Sequence, residues 1–156
     1  RIAMAARVDT PTGPVHVYNV HLDTRINRGQ RLEQMGEVTR DVGALDGPAI
    51  IGGDFNTGSV FWLFHTIPLP FIGRQRAGLQ RFMEDRGFQS AFERGESTHD
   101  ALGQLDWVFA RGLEASEASI HPVEVSDHHA LMVSLVPDGT SAAGQPEVMP
   151  NQPPSR

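Results

Sequence analysis

The sequence contains no cysteine, no lysine and a single tyrosine. Without cysteine there are no disulfides, no thiolate-bound zinc and no cysteine nucleophile. Without lysine there is no Schiff-base amine and no phosphate-loop lysine of the Walker type. No apolar run approaches the roughly 20 residues a bilayer crossing needs. A basic stripe is also missing. The 13 basic residues are all arginine, and 19 acidic residues outnumber them, for a formal net charge of −6. Proteins that grip nucleic acid through many phosphates normally carry such a stripe. An acidic balance with seven histidines favours cation binding or a small substrate.

The chain has 156 residues, about one domain's worth. A domain of roughly 150 residues hides about 70% of its unfolded surface, enough for a real core. Apolar residues make up 39% and charged residues 21%, which excludes a disordered chain. There is no internal repeat.

Residues 2–8 are mostly apolar, 9–14 are dense in turn formers, and 15–22 are largely apolar on both faces. This predicts a β-hairpin whose second strand is buried. Leu32, Met35, Val38, Val42 and Leu45 are spaced by 3, 3, 4 and 3, so 28–45 is an amphipathic helix ended by Gly47-Pro48. Residues 49–51 form a short buried strand running into Gly52-Gly53-Asp54. The aromatic stretch 60–71 carries Pro68 and Pro70, which bar a regular helix over its second half. It reads as a packed loop, a specificity loop at the rim of a site, or a lipid-contacting loop. Helical spacing returns over 74–86, with Gly87 as C-cap. Residues 105–110 and 130–136 are strands, and 114–125 one strand or two. The segment 137–156, with five prolines and two glycines, reads as a disordered tail to a domain spanning 1–136. Strand, helix and strand followed by further strands predict α/β or α+β layers.

Polar groups stand at the ends of these apolar strands. They are Asn19 and His21 in VYNVHLDT, Asp54 and Asn56 in GGDFNT, Asp106 in QLDWVFAR, and Asp127 and His128 in SDHHALMV. Open sheets place their sites at strand ends. A buried strand ends in ionisable groups when these are paired or hold a metal. Hard oxygen ligands favour Mg²⁺ or Mn²⁺ over zinc.

N-x-H-L at Asn19–Leu22, G-D-F-N at Gly53–Asn56, L-D-W at Leu105–Trp107 and S-D-H-H at Ser126–His129 occur in this order. Together they resemble the endonuclease/exonuclease/phosphatase superfamily, whose fold is that of pancreatic deoxyribonuclease. The resemblance implies an α+β fold, a two-layer β-sandwich flanked by helices. It implies a divalent-metal-dependent phosphoester hydrolase acting on nucleic acid, a phospholipid head group or a soluble phosphoester. His21 would contact the scissile phosphate, and Asp54 would orient or deprotonate the attacking water. Asn56 would bond a phosphoryl oxygen or the metal-bound cluster. Asp127 would ligate Mg²⁺ or Mn²⁺, with Asp54 and Asn56 alongside. His128 would be the acid/base or charge-stabilising imidazole, with Asp106 on its far nitrogen. Either Asp54 or His128 could be the base.

The family's first half supplies another strand-end Asn and a metal-binding Glu, and neither has a counterpart here. The chain opens at Arg1 almost directly into a strand. The expectation is therefore the second half of a catalytic domain, weak or inactive alone, whose partner is the missing N-terminal half. No obligate partner protein is predicted.

His129 reads as an orienting or packing residue. His16, His65, His99 and His121 lack motif partners and read as surface or packing residues, although Thr98-His99 precedes the Asp106 strand closely enough to line the site. Asp23 reads as a cap or turn. The rival functions fit less well. A non-catalytic binding module on the same sandwich predicts an eroded motif, and none is eroded. A sphingomyelinase-type lipid phosphodiesterase would use the aromatic stretch, but no basic cluster accompanies it. A Ser-His-Asp hydrolase through Ser59 or Ser126 lacks the G-x-S-x-G elbow. The histidine spacings match no helical zinc pair.

Overall fold

A computed structural model describes residues 2–58, 60–63, 67–70 and 74–139. Strands β1 (Ile2–Thr10) and β2 (Gly13–His21) form an antiparallel hairpin that closes at Thr10 and Gly13. Helix α1 (Arg28–Gly43) then crosses over to β3 (Ala49–Asp54), which lies parallel to β2. Strands β4 (Val60–Leu63) and β5 (Ile67–Pro70) make a separate antiparallel pair, and α2 (Arg74–Glu84) follows. Strands β6 (Gln89–Ser90) and β7 (Asp106–Arg111) complete a five-stranded sheet of order β1-β2-β3-β7-β6. Strands β8 (Leu113–His121) and β9 (Ala130–Pro137) form a second, two-stranded sheet. This is the α+β architecture of the deoxyribonuclease-like fold.

Capping accounts for the helix bounds. Asn27 accepts the Gln30 N–H at 3.0 Å while Gln30 Oε1 accepts the Asn27 N–H at 3.1 Å, a reciprocal box at the start of α1. Helix α1 stops two residues short of Leu45, because the Ala44 and Leu45 N–H groups turn back to Asp41 and Val42 in a tightened last turn. Gly87, at φ 77, ends α2 as expected. Its N–H bonds the Glu84 carbonyl and the Phe88 N–H reaches Met83, the paired return of a Schellman cap.

Alternation along the strands divides the sheet into two faces. Tyr18, Val20, Ala49, Ile51, Trp107 and Phe109 point to one side and are buried with Met35, Val38 and Val42 of α1 and Leu79 and Met83 of α2. Each buried Val, Leu, Ile, Phe or Met among them contributes about 1.5–3 kcal/mol. Trp107 stacks on Phe109 at 5.2 Å, and its indole N–H donates to Thr57 Oγ1 at 2.8 Å, so its one polar atom is satisfied. On the other side Val15, Val17 and Ile50 form an apolar cleft with Leu113, Val133 and Leu135 of the second sheet. Strand β2 is thus not buried on both faces, since Asn19 and His21 are exposed. Strand β1 is exposed from Ile2 to Asp9, as an edge strand.

Gly53 is required by close packing. It has φ 130, and a Cβ there would lie 2.7 Å from Asn19 Oδ1 and 2.9 Å from Val20 N, and nearer still to the Val20 carbonyl. The expected tail falls mostly at 140–156, outside the described residues, as do the side-chain readings of 60–71.

Candidate active site

Strand register assembles the first part of the site. His21 of β2 pairs with Asp54 of β3, and Asp54 pairs with Asp106 of β7. All three side chains project from the face opposite the helices: His21 follows Val20, Asp54 follows Gly53, and Asp106 precedes Trp107. His21 is largely exposed, and its Nε2 lies 3.6 Å from Asp54 Oδ2. Asn19 sits two residues earlier on the same face as His21, against Gly53.

Asn56 is held by the loop after β3. It adopts φ 51, a left-handed conformation that Asn tolerates better than most residues. Its backbone N–H donates to Asp54 Oδ1 at 2.8 Å. Its Nδ2 donates to the Leu22 carbonyl at 2.9 Å and to Asp54 Oδ2 at 3.1 Å. The amide is thereby oriented with its nitrogen inward. Asp54 is pushed above the ordinary carboxylate range chiefly by burial, with the charge of Asp106 adding to it. The Asn56 N–H and the charges of His128 and His21 oppose that rise.

The second part of the site comes from two loops that meet. His128 Nδ1 lies 2.9 Å from Asp106 Oδ2, which fixes one ring nitrogen and leaves Nε2 outward. Burial works against the imidazolium. The hydrogen bond to Asp106, together with the charges of Asp106, Asp54 and Asp127, outweighs it and holds His128 above the usual 6.5. Asp106 is itself steered by Thr98, a fully buried residue. The Thr98 hydroxyl donates to Asp106 Oδ2 at 2.8 Å and accepts the N–H groups of Leu105 and Asp106 at 3.0 and 2.9 Å.

Asp127 is exposed, and its carboxylate lies 3.3 Å from His99 Nε2. One ligand-type atom each from His99, Asp127 and His128 fall within 4.8 Å of one another. His129 instead pairs with Asp100 at 2.9 Å, which agrees with an orienting role.

Two participants escape the motif reading. His99 reads from sequence as a surface or packing residue placed to line the site, and its ring packs edge-on to His128 with centroids 4.9 Å apart. Its position beside Thr98 in the loop before the Asp106 strand was the available signal. Arg31 lies in α1, where sequence shows only a polar helix position. It is buried, bonds Gln75 and the Asp23 carbonyl, and its charge reaches Asp54. Burial brings its pKa down to about 10 against the pull of Asp23 and Asp54.

The profile of the Endonuclease/Exonuclease/phosphatase family matches residues 2–128. The chain belongs to that family, a superfamily of phosphoester hydrolases. It is 33% identical over 125 residues to a UPF0294 protein of Yersinia enterocolitica, covering 79% of this chain and 41% of that protein. The chain thus spans about two-fifths of that relative's length. A functionally unknown conserved protein from Enterococcus faecalis superposes with a TM-score of 0.66 at 20% identity, over 88% of this chain and 57% of that one. An endonuclease/exonuclease/phosphatase from Beutenbergia cavernae gives 0.61 at 20% identity, over 86% and 39%. These likenesses establish the shared fold.

Proposed function

We propose that this chain carries the acid–base portion of a divalent-metal-dependent phosphoester hydrolase. The observation that supports this most directly is the row His21–Asp54–Asp106 across three neighbouring strands, with His128 bonded to its last member. Hydrolysis at phosphorus needs an oriented water, a donor aimed at the charge that develops, and screening of the non-bridging oxygens. Asp54, half-buried at the rim, orients the water and takes its proton. His128 presents Nε2 as donor to a phosphoryl or leaving-group oxygen, while Asp106 sets its ring. His21, exposed at the rim, contacts the phosphate. Asn56 turns its amide oxygen toward the same space.

The donor set fits a hard cation. Asp127 offers an exposed carboxylate, and Asp54 and Asn56 offer oxygens rather than nitrogen or sulfur. Mg²⁺ or Mn²⁺ held there would neutralise charge on the phosphoester oxygens. The substrate class is a nucleic acid, a phospholipid head group or a soluble phosphoester.

The test is turnover of supercoiled plasmid, sphingomyelin and an aryl phosphodiester with Mg²⁺, with and without EDTA, by a full-length parent that includes the N-terminal half implied by the resemblance. His128→Ala should lower the rate by about 10²–10⁴. Retention of near-full activity by that variant would remove His128 from the reaction. An absence of metal-dependent turnover on all three would favour a non-catalytic binding module.

A further inference from the structure

His99 belongs to no motif of the site, yet it is buried beside it and every polar atom of its ring is engaged. Nδ1 accepts the backbone N–H of Ala101 at 3.0 Å and of Leu102 at 3.3 Å. A ring nitrogen that accepts two backbone donors carries no proton, so in the neutral ring the proton sits on Nε2. That nitrogen faces Asp127 Oδ2 at 3.3 Å. The contact is an ion-pair approach between ring and carboxylate, and among the described residues it is the closest one to the Asp127 carboxylate.

We infer that His99 is a positioning residue whose Nε2–H faces Asp127 and, by electrostatic attraction across that 3.3 Å approach, aims this exposed carboxylate at the site's cation without ligating the cation itself. The inference rests on the metal-dependent reading above. A proton-bearing nitrogen has no lone pair to offer a metal. Moving the proton to Nδ1 would set it against the Ala101 and Leu102 N–H groups and lose both bonds. His128 is committed in the opposite sense, its Nδ1–H donating to the Asp106 carboxylate. The three-residue cluster is therefore a carboxylate held by one imidazole and flanked by another, rather than a two-histidine metal site.

Backbone contacts make the aim rigid. The Asp100 N–H donates to the Asp127 carbonyl at 3.1 Å, and the His129 N–H to the Thr98 carbonyl at 2.8 Å. His99 and His128 form an isolated β-bridge between these bonds, and the His129–Asp100 pair closes the outer side. One loop thus steers both acids, Asp106 through Thr98 and Asp127 through His99. Partners that orient ligands typically govern 10–100-fold in metal affinity.

Two variants separate the functions of the ring. Asn places an oxygen near the Nδ1 position and keeps the cap on Ala101 and Leu102, with nothing at Nε2. Gln places an amide N–H near Nε2. In the full chain, His99→Asn should weaken Mn²⁺ binding, measured by calorimetry, by about 10–100-fold. His99→Gln should return it close to the wild-type value. Nitrogen-15 spectra of the metal-free protein should show a bare Nδ1 and a protonated Nε2 for His99, with the Nε2 proton retained when Mg²⁺ is added. A protonated Nδ1, loss of the Nε2 proton on Mg²⁺ addition, or wild-type Mn²⁺ affinity in His99→Asn would overturn the assignment. Failure of the full-length wild type, with the N-terminal half present, to bind Mn²⁺ is a different result: it refutes the metal-dependent reading, and with it the aim given to His99.

Discussion

On strand β7, Asp106 and Trp107 are consecutive residues with opposite fates. Trp107 is fully enclosed among Phe109, Ile51 and the helices, while Asp106 faces the site and holds His128. The same division runs through β2, where Val20 is buried and His21 exposed, and through β3, where Ile51 is buried and Asp54 reaches the rim. One face of the sheet is stabilised by apolar burial, with the Arg111 guanidinium at its margin satisfied by the Val42 and Leu45 carbonyls. The other has apolar residues along its length and ionisable groups only at one end, where they pair with one another. Period-2 geometry lets a single strand serve both faces, so stability and chemistry should separate on mutation of neighbours.

Trp107→Ala is expected to break the enclosed face. Removing a buried indole costs about 3–5 kcal/mol and also strips Thr57 of its donor. Urea unfolding measures this, and a loss near zero would mean that the face packs without it. Asp106→Asn should leave stability within about 1 kcal/mol, since the site is partly open. It should lower turnover by about 10²-fold, because the imidazole loses its orienting carboxylate. It should also bring the His128 titration down in an NMR series of the metal-free chain.

The sign follows from linkage. The folded chain holds the His128 proton at pH values where the unfolded chain releases it. The pairing therefore stabilises fully below about pH 6.5 and fades as pH rises through the raised value. Loss of Asp106 should flatten that dependence.

The smallest effect belongs to the enclosed face. Tyr18 is pushed up to about 12, first by burial and then by its hydrogen bond to Asp41 at 2.6 Å and the charge of that carboxylate. It is the single tyrosine, so ultraviolet absorbance reads it alone. Asp41→Asn should move the titration part of the way back toward 10, because burial is the larger cause. A full return would show that Asp41 alone sets the value.

The hairpin, both helices, Gly87 as a cap, and the strands at 105–110 and 130–136 are legible from spacing and turn residues. Those signals are local, and the structure keeps them with shifts of a few residues. The motif residues His21, Asp54, Asn56, Asp106 and His128 are legible because short polar insertions interrupt apolar strands. Asp127 and His128 share one such insertion; the resemblance names Asp106 as the partner of His128, while the partner of Asp127 is not evident. His99 and Thr98 lie about 30 residues earlier, in a loop with no periodicity. Arg31 looks like an ordinary polar position of α1. Its burial is set by where Gln75 and the 23–26 loop pack around it.

The sequence by itself determined which segments become strands and helices and which residue types stand at the strand ends, because these follow from periodicity and local backbone preference. Only the tertiary structure decided that the row His21–Asp54–Asp106 meets the 127–129 loop, and that His99 presents Nε2 rather than Nδ1 to Asp127. Both depend on inter-strand register and on backbone N–H groups arriving from a loop. These are pairings between distant segments that no local pattern encodes.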